Sequence, residues 1–313
     1  MNIYISSYNK SKTITILDID RKGKITKRSE CENPSFPSYL KKYNENLYVS
    51  LKKDDEESIS GILEYKIIDK HIIKNKLYKS DFSFTHLYVD SKYIIGASYH
   101  QGVIEIFEKE SSLSFTKKYN NSKIHNVGYI DRIDKYYAVD LANDCIYFFG
   151  IKNTSIINEQ IVYLDKNDSP RHIWYQSMNR YIYIVNENSS TIVVLDIDNN
   201  FEMIQKIPTK HSEKPNMPAA IMGDMKNEFL YVSNRGCDNV VCYKIDKKTG
   251  LLKYKFSIDN ICNIPRDFFI KQDMMFIANQ GSNSLISLKL ESRKNSYKIL
   301  QKIYIEKPVC IEI

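Results

Sequence analysis

The sequence predicts an all-β protein, a seven-bladed β-propeller with four antiparallel strands in each blade. A unit of two short strands and a turn, clearest in residues 230–246 (LYVSNRGCDNVVCYKID), recurs seven times along the chain. The residue at the place of Tyr231 recurs at spacings of 44, 47, 42, 46, 48 and 45 residues. Short strands with a period in the forties are typical of propeller blades, which bury their faces by stacking in a closed ring.

The repeated unit predicts the second strand of each blade, a turn, and a further strand. Around Tyr231, apolar and polar residues alternate as in a half-buried strand, and Asn234, Gly236 and Asp238 then interrupt the run as turn residues do. The seven second strands are anchored at Tyr4, Tyr48, Ile95, Tyr137, Tyr183, Tyr231 and Phe276.

A second pattern precedes the anchors and predicts the innermost strand of each blade. These segments begin at Pro37, Thr85, His125, Pro170, Pro218 and Pro265, and the last one is residues 308–313 (PVCIEI). Proline is tolerated at the first residue of a strand because no ladder donor is lost there. We expect residues 308–313 to pair with residues 2–7, because this pairing closes the ring and removes an exposed edge.

The length alone would suit two domains, but seven repeats of one unit favour one closed domain over residues 1–313. The chain is 42% hydrophobic and contains 24 tyrosines, as suits a β protein with a large core. Residues 56–70 are the one segment whose pattern is ambiguous between helix and strand. The longest apolar runs are far shorter than the roughly 20 residues that span a bilayer, and the first residues are typical of a strand, so we expect a cytoplasmic protein.

Several classes of function are disfavoured. The net charge of +7 is spread over lysines, so we expect neither nucleic acid nor membrane as a partner. No Gly-rich phosphate loop, HExxH or GxSxG motif occurs, and we expect no cofactor and no metal. Without CxxC spacing, the six cysteines are expected to be free thiols: Cys31, Cys145, Cys237, Cys242, Cys262 and Cys310.

Propeller geometry brings two sets of residues to one face of the ring, because inner strands begin where second strands end. The starts of the inner strands supply Ser38, Thr85, His86, His125, Arg171, His172, Ala219, Arg266 and Asp267. The ends of the second strands supply Tyr8, Tyr99, His100, Asp140, Glu187, Arg235 and Gln280. Most of the histidines fall in this ring, whereas His71 and His211 lie outside it and are expected in loops.

Three segments of the chain resemble a known protein family. Residues 223–246 (GDMKNEFLYVSNRGCDNVVCYKID), 264–270 (IPRDFFI) and 275–290 (MFIANQGSNSLISLKL) are similar to the lactonase family of seven-bladed propellers. That family includes propeller-type 6-phosphogluconolactonases and a fungal carboxy-cis,cis-muconate cyclase. The resemblance covers nearly the whole chain and is weakest in residues 1–73, which carry the acidic insert at 54–58. The chain departs from the family in having few glycines and Ile124 where proline is usual.

The resemblance implies a polar site at one mouth of the channel. It assigns catalysis to His125, Arg171, Glu187 and Arg235, and it matches His172 and Arg266 to further polar positions. Position in the ring adds His86, His100 and Gln280 as substrate-binding candidates. Lactone opening needs a base, for which His125 and Glu187 are both candidates, and cationic donors for an oxyanion and for an anionic group.

We therefore expect a lactone hydrolase of the 6-phosphogluconolactonase type, acting on a small anionic sugar lactone in the pentose phosphate route. Two alternatives stay open: a propeller without catalysis that binds a protein or peptide, and a cyclase or isomerase acting on another lactone. Arg171 and Glu187 could also be only a structural ion pair between neighbouring strands.

Overall fold

The computed structural model describes residues 2–53, 58–69, 71–111, 113–210 and 213–313. It contains seven antiparallel sheets of four strands each, arranged as the blades of a ring. The predicted seven-bladed β-propeller is therefore confirmed. Within these ranges, no helix has the length and apolarity that crossing a bilayer would require.

The blades are numbered here from the one that contains the start of the chain, and strands are given from the channel outward. Blade 1 is β28 (Pro308–Glu312), β1 (Asn2–Ser7), β2 (Thr13–Ile19) and β3 (Ile25–Glu32). Blade 2 is β4 (Phe36–Tyr43), β5 (Asn46–Lys52), β6 (Gly61–Ile68) and β7 (His71–Lys79). Blade 3 is β8 (His86–Val89), β9 (Tyr93–Ser98), β10 (Val103–Glu108) and β11 (Ser114–Lys118).

The other four blades follow the same order. Blade 4 is β12 (Ile124–Ile130), β13 (Lys135–Asp140), β14 (Cys145–Lys152) and β15 (Ser155–Tyr163). Blade 5 is β16 (Pro170–Trp174), β17 (Tyr181–Asn186), β18 (Thr191–Asp196) and β19 (Glu202–Pro208). Blade 6 is β20 (Met217–Gly223), β21 (Phe229–Arg235), β22 (Asn239–Ile245) and β23 (Leu252–Ile258). Blade 7 is β24 (Pro265–Lys271), β25 (Met274–Asn279), β26 (Ser284–Glu291) and β27 (Ser296–Tyr304).

The ring closes inside blade 1 as predicted. Strand β28 pairs antiparallel with β1, with Glu312 opposite Tyr4 and Ile311 opposite Ile5. Three short 3₁₀ turns lie in connections, at Asp131–Ile133, Ile197–Asn199 and Ser292–Lys294.

The core lies between neighbouring blades. Side chains of the second and third strands are almost entirely buried, and they meet those of the next blade in apolar clusters. Between blades 5 and 6, for example, Tyr183 and Val185 pack in one cluster with Leu230, Val232 and Tyr243. Burying a large apolar side chain stabilises a fold by about 1.5–3 kcal/mol, so each blade depends on both of its neighbours.

Two expectations outside the site change. Within residues 56–70, the ambiguous segment forms strand β6 from Gly61 to Ile68, while residues 56, 57 and 70 lie outside the described ranges. The expectation of a loop at His71 was wrong, because His71 is the exposed first residue of outer strand β7. His211 and most of the acidic insert, residues 54–57, also lie outside the described ranges.

Candidate active site

A cavity of about 260 Å³ opens at one mouth of the channel, and residues of all seven blades line it. Its chemically active wall residues are Tyr8, Lys52, Tyr99, His100, His125, Arg171, Glu187, Arg235 and Arg266. Larger depressions lie at the outer edges of blades 6 and 7, where strand-flanking lysines and the exposed pair of Glu228 with Arg293 line them. No histidine is among the residues that line those depressions, whereas two histidines line the channel cavity.

The inner strands reach the cavity through β-bulges. In β16, Pro170 pairs with Asn186 and His172 with Val185, so Arg171 has no residue opposite it. A bulge turns the side chain of the extra residue away from the regular alternation of the strand. A bulge at the same place interrupts the pairing of the inner and second strands in other blades, at Val309, Ser38, His125, Ala219–Ala220 and Arg266. The bulges thus explain why three strands each present one basic or titratable side chain to the cavity.

The second strands contribute the residue four positions after each anchor. Around the ring this position holds Tyr8, Lys52, Tyr99, Leu141, Glu187, Arg235 and Gln280. The residue one position earlier is fully buried in every blade, and six of these seven are polar: Ser7, Leu51, Ser98, Asp140, Asn186, Asn234 and Asn279. These seven residues are called the buried polar row. The cavity wall begins one residue after this row.

Glu187 bridges two arginines at the centre of the site. Its Oε2 atom lies 2.9 Å from Nε of Arg171 and accepts a hydrogen bond of 2.7 Å from Nη2 of Arg235. Arg171 also donates through Nη1 to the carbonyl oxygen of Ala219, and Arg235 donates through Nε to that of Met217 at 3.0 Å. Backbone acceptors on β20 therefore fix both guanidinium groups in place.

Burial makes this charged cluster unusual. The side chain of Arg171 is only 4% exposed and that of Arg235 12%. Burial lowers the pKa of the Arg171 guanidinium, as does the neighbouring charge of Arg235, while Glu187 opposes the shift. Burial also lowers the pKa of Arg235, again opposed by Glu187. The carboxylate of Glu187 is thus what allows two guanidinium groups to stay charged side by side.

Three histidines, His86, His125 and His172, form a contiguous group that extends from the cavity into the channel. The ring centroids of His125 and His172 are 5.0 Å apart, and those of His172 and His86 are 5.6 Å apart. Burial lowers the pKa of His125 well below its usual range, and Arg171 and Arg266 lower it further. His125 is therefore a neutral imidazole at neutral pH. Its buried Nδ1 has no hydrogen-bond partner within the described residues.

The opposite wall carries a second pair of cations. Nζ of Lys52 lies 5.6 Å from the centroid of the Tyr8 ring, and the guanidinium carbon of Arg266 lies 5.8 Å from the same centroid. Blades 7, 1 and 2 supply these three residues, so they form one continuous sector of the wall.

The structure separates the predicted site residues into two groups. His125, Arg171, Glu187 and Arg235 line the cavity together with His100 and Arg266, and His172 lines a narrow extension below it. His86 lies deeper, where its Nε2 is 2.8 Å from the hydroxyl of Tyr39. Gln280 stands behind Arg266, accepting a 3.4 Å hydrogen bond from it. Contact of substrate with His86 and Gln280 remains a prediction.

The structure differs from the ring predicted by the sequence at two residues, Asp140 and Lys52. Asp140 is fully buried, and its carboxylate accepts hydrogen bonds from the backbone nitrogens of Lys123, Ala142 and Asn143, so it closes a turn and does not reach the cavity. Lys52 lines the cavity but was missed. It follows its anchor by four residues, as Glu187 and Arg235 do, and that spacing could have identified it.

Comparison with known proteins bears on what this arrangement does. The family described as "Lactonase, 7-bladed beta-propeller" matches residues 2–313. The chain belongs to the lactonase family of seven-bladed β-propellers. A relative from Bacillus subtilis (strain 168) named 6-phosphogluconolactonase is 21% identical over 345 residues, covering 99% of this chain and 97% of its own.

Solved structures of distant relatives share the fold. A protein from Lactobacillus plantarum has a TM-score of 0.87 at 21% identity, covering 100% of this chain and 99% of its own. The periplasmic gluconolactonase of Pseudomonas aeruginosa has a TM-score of 0.86 at 18% identity, covering 99% of this chain and 98% of its own. Family membership supports lactone hydrolysis as the general activity. Because the Pseudomonas protein is periplasmic, the cytoplasmic location expected for this chain remains a prediction.

Proposed function

We propose that this lactonase-family protein hydrolyses a small anionic sugar lactone, and specifically 6-phosphogluconolactone. The observation that carries the proposal is the composition of the channel cavity. A neutral His125 faces it together with four cations, Lys52, Arg171, Arg235 and Arg266, and one carboxylate, Glu187. Such a cavity combines a group able to accept a proton with donors for an anionic substrate and for a developing oxyanion.

His125 is the general base in this proposal. It takes a proton from a water molecule while the water oxygen attacks the lactone carbonyl carbon. The tetrahedral intermediate then breaks its bond to the ring oxygen, which takes up that proton, and the products are a carboxylic acid and an alcohol on one chain. The acid afterwards loses its proton to solvent. His125 lines the cavity, and its Nδ1 makes no hydrogen bond within the described residues, so we assign the neutral imidazole as the proton acceptor.

Glu187 is assigned a positioning and charge-balancing role. Its Oε2 atom already contacts Arg171 and Arg235, whereas Nδ1 of His125 has no hydrogen-bond partner in the part of the chain that the structure describes. Nε of Arg171 faces Glu187 and its Nη1 donates to Ala219, so we assign Nη2 of Arg171 and Nη1 of Arg235 as the donors to the oxyanion. Donors held in this way before reaction stabilise charge that develops in the transition state.

The test is hydrolysis of freshly generated 6-phosphogluconolactone, measured above its spontaneous rate. We expect His125→Gln to lower kcat by a factor of about 10²–10⁴, as loss of a general base does. His71→Gln is the matched control, because His71 is exposed on an outer strand. Turnover of His125→Gln equal to that of the wild type would remove His125 from the mechanism. If the wild type gives no rate above the spontaneous one, the proposed substrate is wrong.

Glu187→Gln separates the catalytic reading of the Arg171–Glu187–Arg235 cluster from a purely structural one. We expect a folded protein with a lowered Tm, because buried Arg171 loses its counter-charge. We also expect turnover per folded molecule to fall by about 10²–10³, the usual cost of a lost oxyanion donor. Melting temperature and turnover should be measured on one preparation. A lowered Tm with full turnover would show that the cluster is only structural.

A further inference from the structure

Lys52 and Arg266 differ from the other two cations of the cavity in their charge balance. Arg171 and Arg235 share the carboxylate of Glu187. Within the described residues, neither Lys52 nor Arg266 lies in an ion pair with a carboxylate; each faces the Tyr8 ring, and Arg266 contacts the neutral amide of Gln280. Two positive charges thus stand across the cavity from the bridged pair without a counter-charge in those residues.

The blade order places these two cations on the side of the ring opposite the proposed base, from where the charge of Arg266 still lowers the pKa of His125. Arg266, Tyr8 and Lys52 come from blades 7, 1 and 2, whereas His125 and Glu187 come from blades 4 and 5. In a ring of seven blades, blade 1 faces the junction of blades 4 and 5. A substrate whose carbonyl lies at His125 therefore extends its far end toward Lys52 and Arg266.

The two side chains suit a phosphate group. The guanidinium of Arg266 offers paired donors in one plane, and the ammonium of Lys52 adds a compact charge. Lys52 and Arg266 lie 5.6 and 5.8 Å from the centroid of the Tyr8 ring and line the same cavity, so they are placed to act on one anion. A phosphate monoester carries close to two negative charges at neutral pH, which matches two cations that pair with no carboxylate of the described residues.

We propose that Lys52 and Arg266, both next to Tyr8, form a phosphate subsite that makes the cavity select phosphorylated over neutral sugar lactones. This inference rests on the proposed function for the identity of the substrate. It assigns the terminal phosphate to blades 7, 1 and 2, and it leaves Arg171 and Arg235 to the reacting carbonyl. Lys52 becomes a specificity-determining residue.

Binding of the stable product 6-phosphogluconate, with gluconate as its unphosphorylated counterpart, tests the subsite without any turnover. Isothermal calorimetry should give the wild type a clear preference for 6-phosphogluconate. Lys52→Gln should weaken 6-phosphogluconate binding about tenfold or more and reduce the preference, since charged hydrogen bonds are strong. Lys53→Gln is the matched control, because Lys53 carries the same charge next in the chain, is exposed and does not line the cavity. Arg266→Gln, checked by its Tm, should act like Lys52→Gln.

The outcomes separate this inference from the proposed function. Equal 6-phosphogluconate binding by the wild type, Lys52→Gln and Lys53→Gln would overturn the subsite, as would a wild type that binds 6-phosphogluconate no better than gluconate. If the wild type hydrolyses 6-phosphogluconolactone and Lys52→Gln keeps its KM, the function stands and the subsite fails. If Lys52→Gln loses binding while the wild type hydrolyses no lactone, the subsite stands and the proposed function fails.

Discussion

At the scale of single residues, burial shifts the pKa values of the titratable groups that lie around the channel. His86, His125 and His172 are enclosed together in the channel, and burial lowers the pKa of all three well below the usual range of histidine. Arg171 lowers each of the three further. Asp267, enclosed near the same channel, shifts the opposite way, since burial raises the pKa of its carboxyl to about 6.

These shifts predict that the protein loses stability in mild acid. A histidine whose pKa is lower folded than unfolded binds fewer protons in the native state, so its contribution is fully present above about pH 6.5 and is lost as the pH falls toward the folded value. Asp267 acts in the opposite sense below about pH 6, but it is one group against three. We therefore expect Tm to fall steadily between pH 7 and pH 5 in calorimetry.

Two variants identify the source of that pH dependence. His86→Gln removes one of the three channel histidines and should make the fall in Tm less steep. His71→Gln removes an exposed histidine and should leave the slope unchanged. A Tm that stays constant from pH 7 to pH 5 in the wild type would contradict a neutral, enclosed histidine cluster.

At the scale of strands, the sequence predicts most of the framework and less of the site. The anchors and the prolines before the inner strands correctly located the first two strands of the blades, because alternation and turn residues are local signals. Bulges leave no such signal, since one extra residue does not change the composition of a strand. The orientation of Arg171 and the depth of His86 in the channel are therefore visible in the structure but not in the sequence.

The errors of the sequence interpretation have identifiable physical causes. Asp140 ends its second strand in the buried polar row, one residue before the position that lines the cavity in blades 1, 2, 3, 5 and 6. Lys52 stands four residues after Tyr48 and lines the cavity, although the sequence prediction did not include it. His71 follows a tight turn and looked like a loop residue, although it already pairs with Ile68 across β6 and β7. The spacing from the anchor residue predicts which residues line the cavity better than their charge does.

The buried polar row predicts a large effect of Asn234→Ala. The side-chain nitrogen of Asn234 donates to Thr209 O at 2.8 Å and to Asn239 Oδ1 at 2.9 Å, and its oxygen accepts from Asn216 at 2.8 Å. Alanine leaves these buried partners unsatisfied, at about 1–3 kcal/mol for each group left without water. We expect Tm to fall by roughly 5 °C or more.

The control for this variant is Asn188→Ala. Asn188 is exposed and makes one 3.3 Å hydrogen bond to Asn167, so its loss should change Tm by about a degree or less. Equal Tm values for the two alanine variants would mean that the hydrogen bonds of the buried polar row do not stabilise the fold.

At the scale of the whole molecule, blade 1 depends on strands from opposite ends of the sequence. Val309, Cys310 and Ile311 of β28 are at most 6% exposed, and the backbone nitrogen of Ile311 donates to Asp267 of blade 7 at 2.8 Å. Strand β28 thus pairs within blade 1 and also joins it to blade 7. Each buried apolar side chain stabilises by about 1.5–3 kcal/mol, so losing the strand removes much of the 5–15 kcal/mol typical of a folded protein.

Ring closure through β28 predicts opposite results for a truncation and a circular permutation. Removing residues 308–313 should leave β1 as an open edge and give a chain that is unfolded or aggregated at 25 °C by circular dichroism. Joining residue 313 to residue 2 by a short Gly- and Asn-rich turn, and opening the chain between exposed Met225 and Lys226, keeps every strand and transfers the same closure to blade 6. We expect this permutant to fold with a Tm within a few degrees of the parent. A stable truncated chain, or an unfolded permutant, would show that the pairing of β28 with β1 does not hold the ring together.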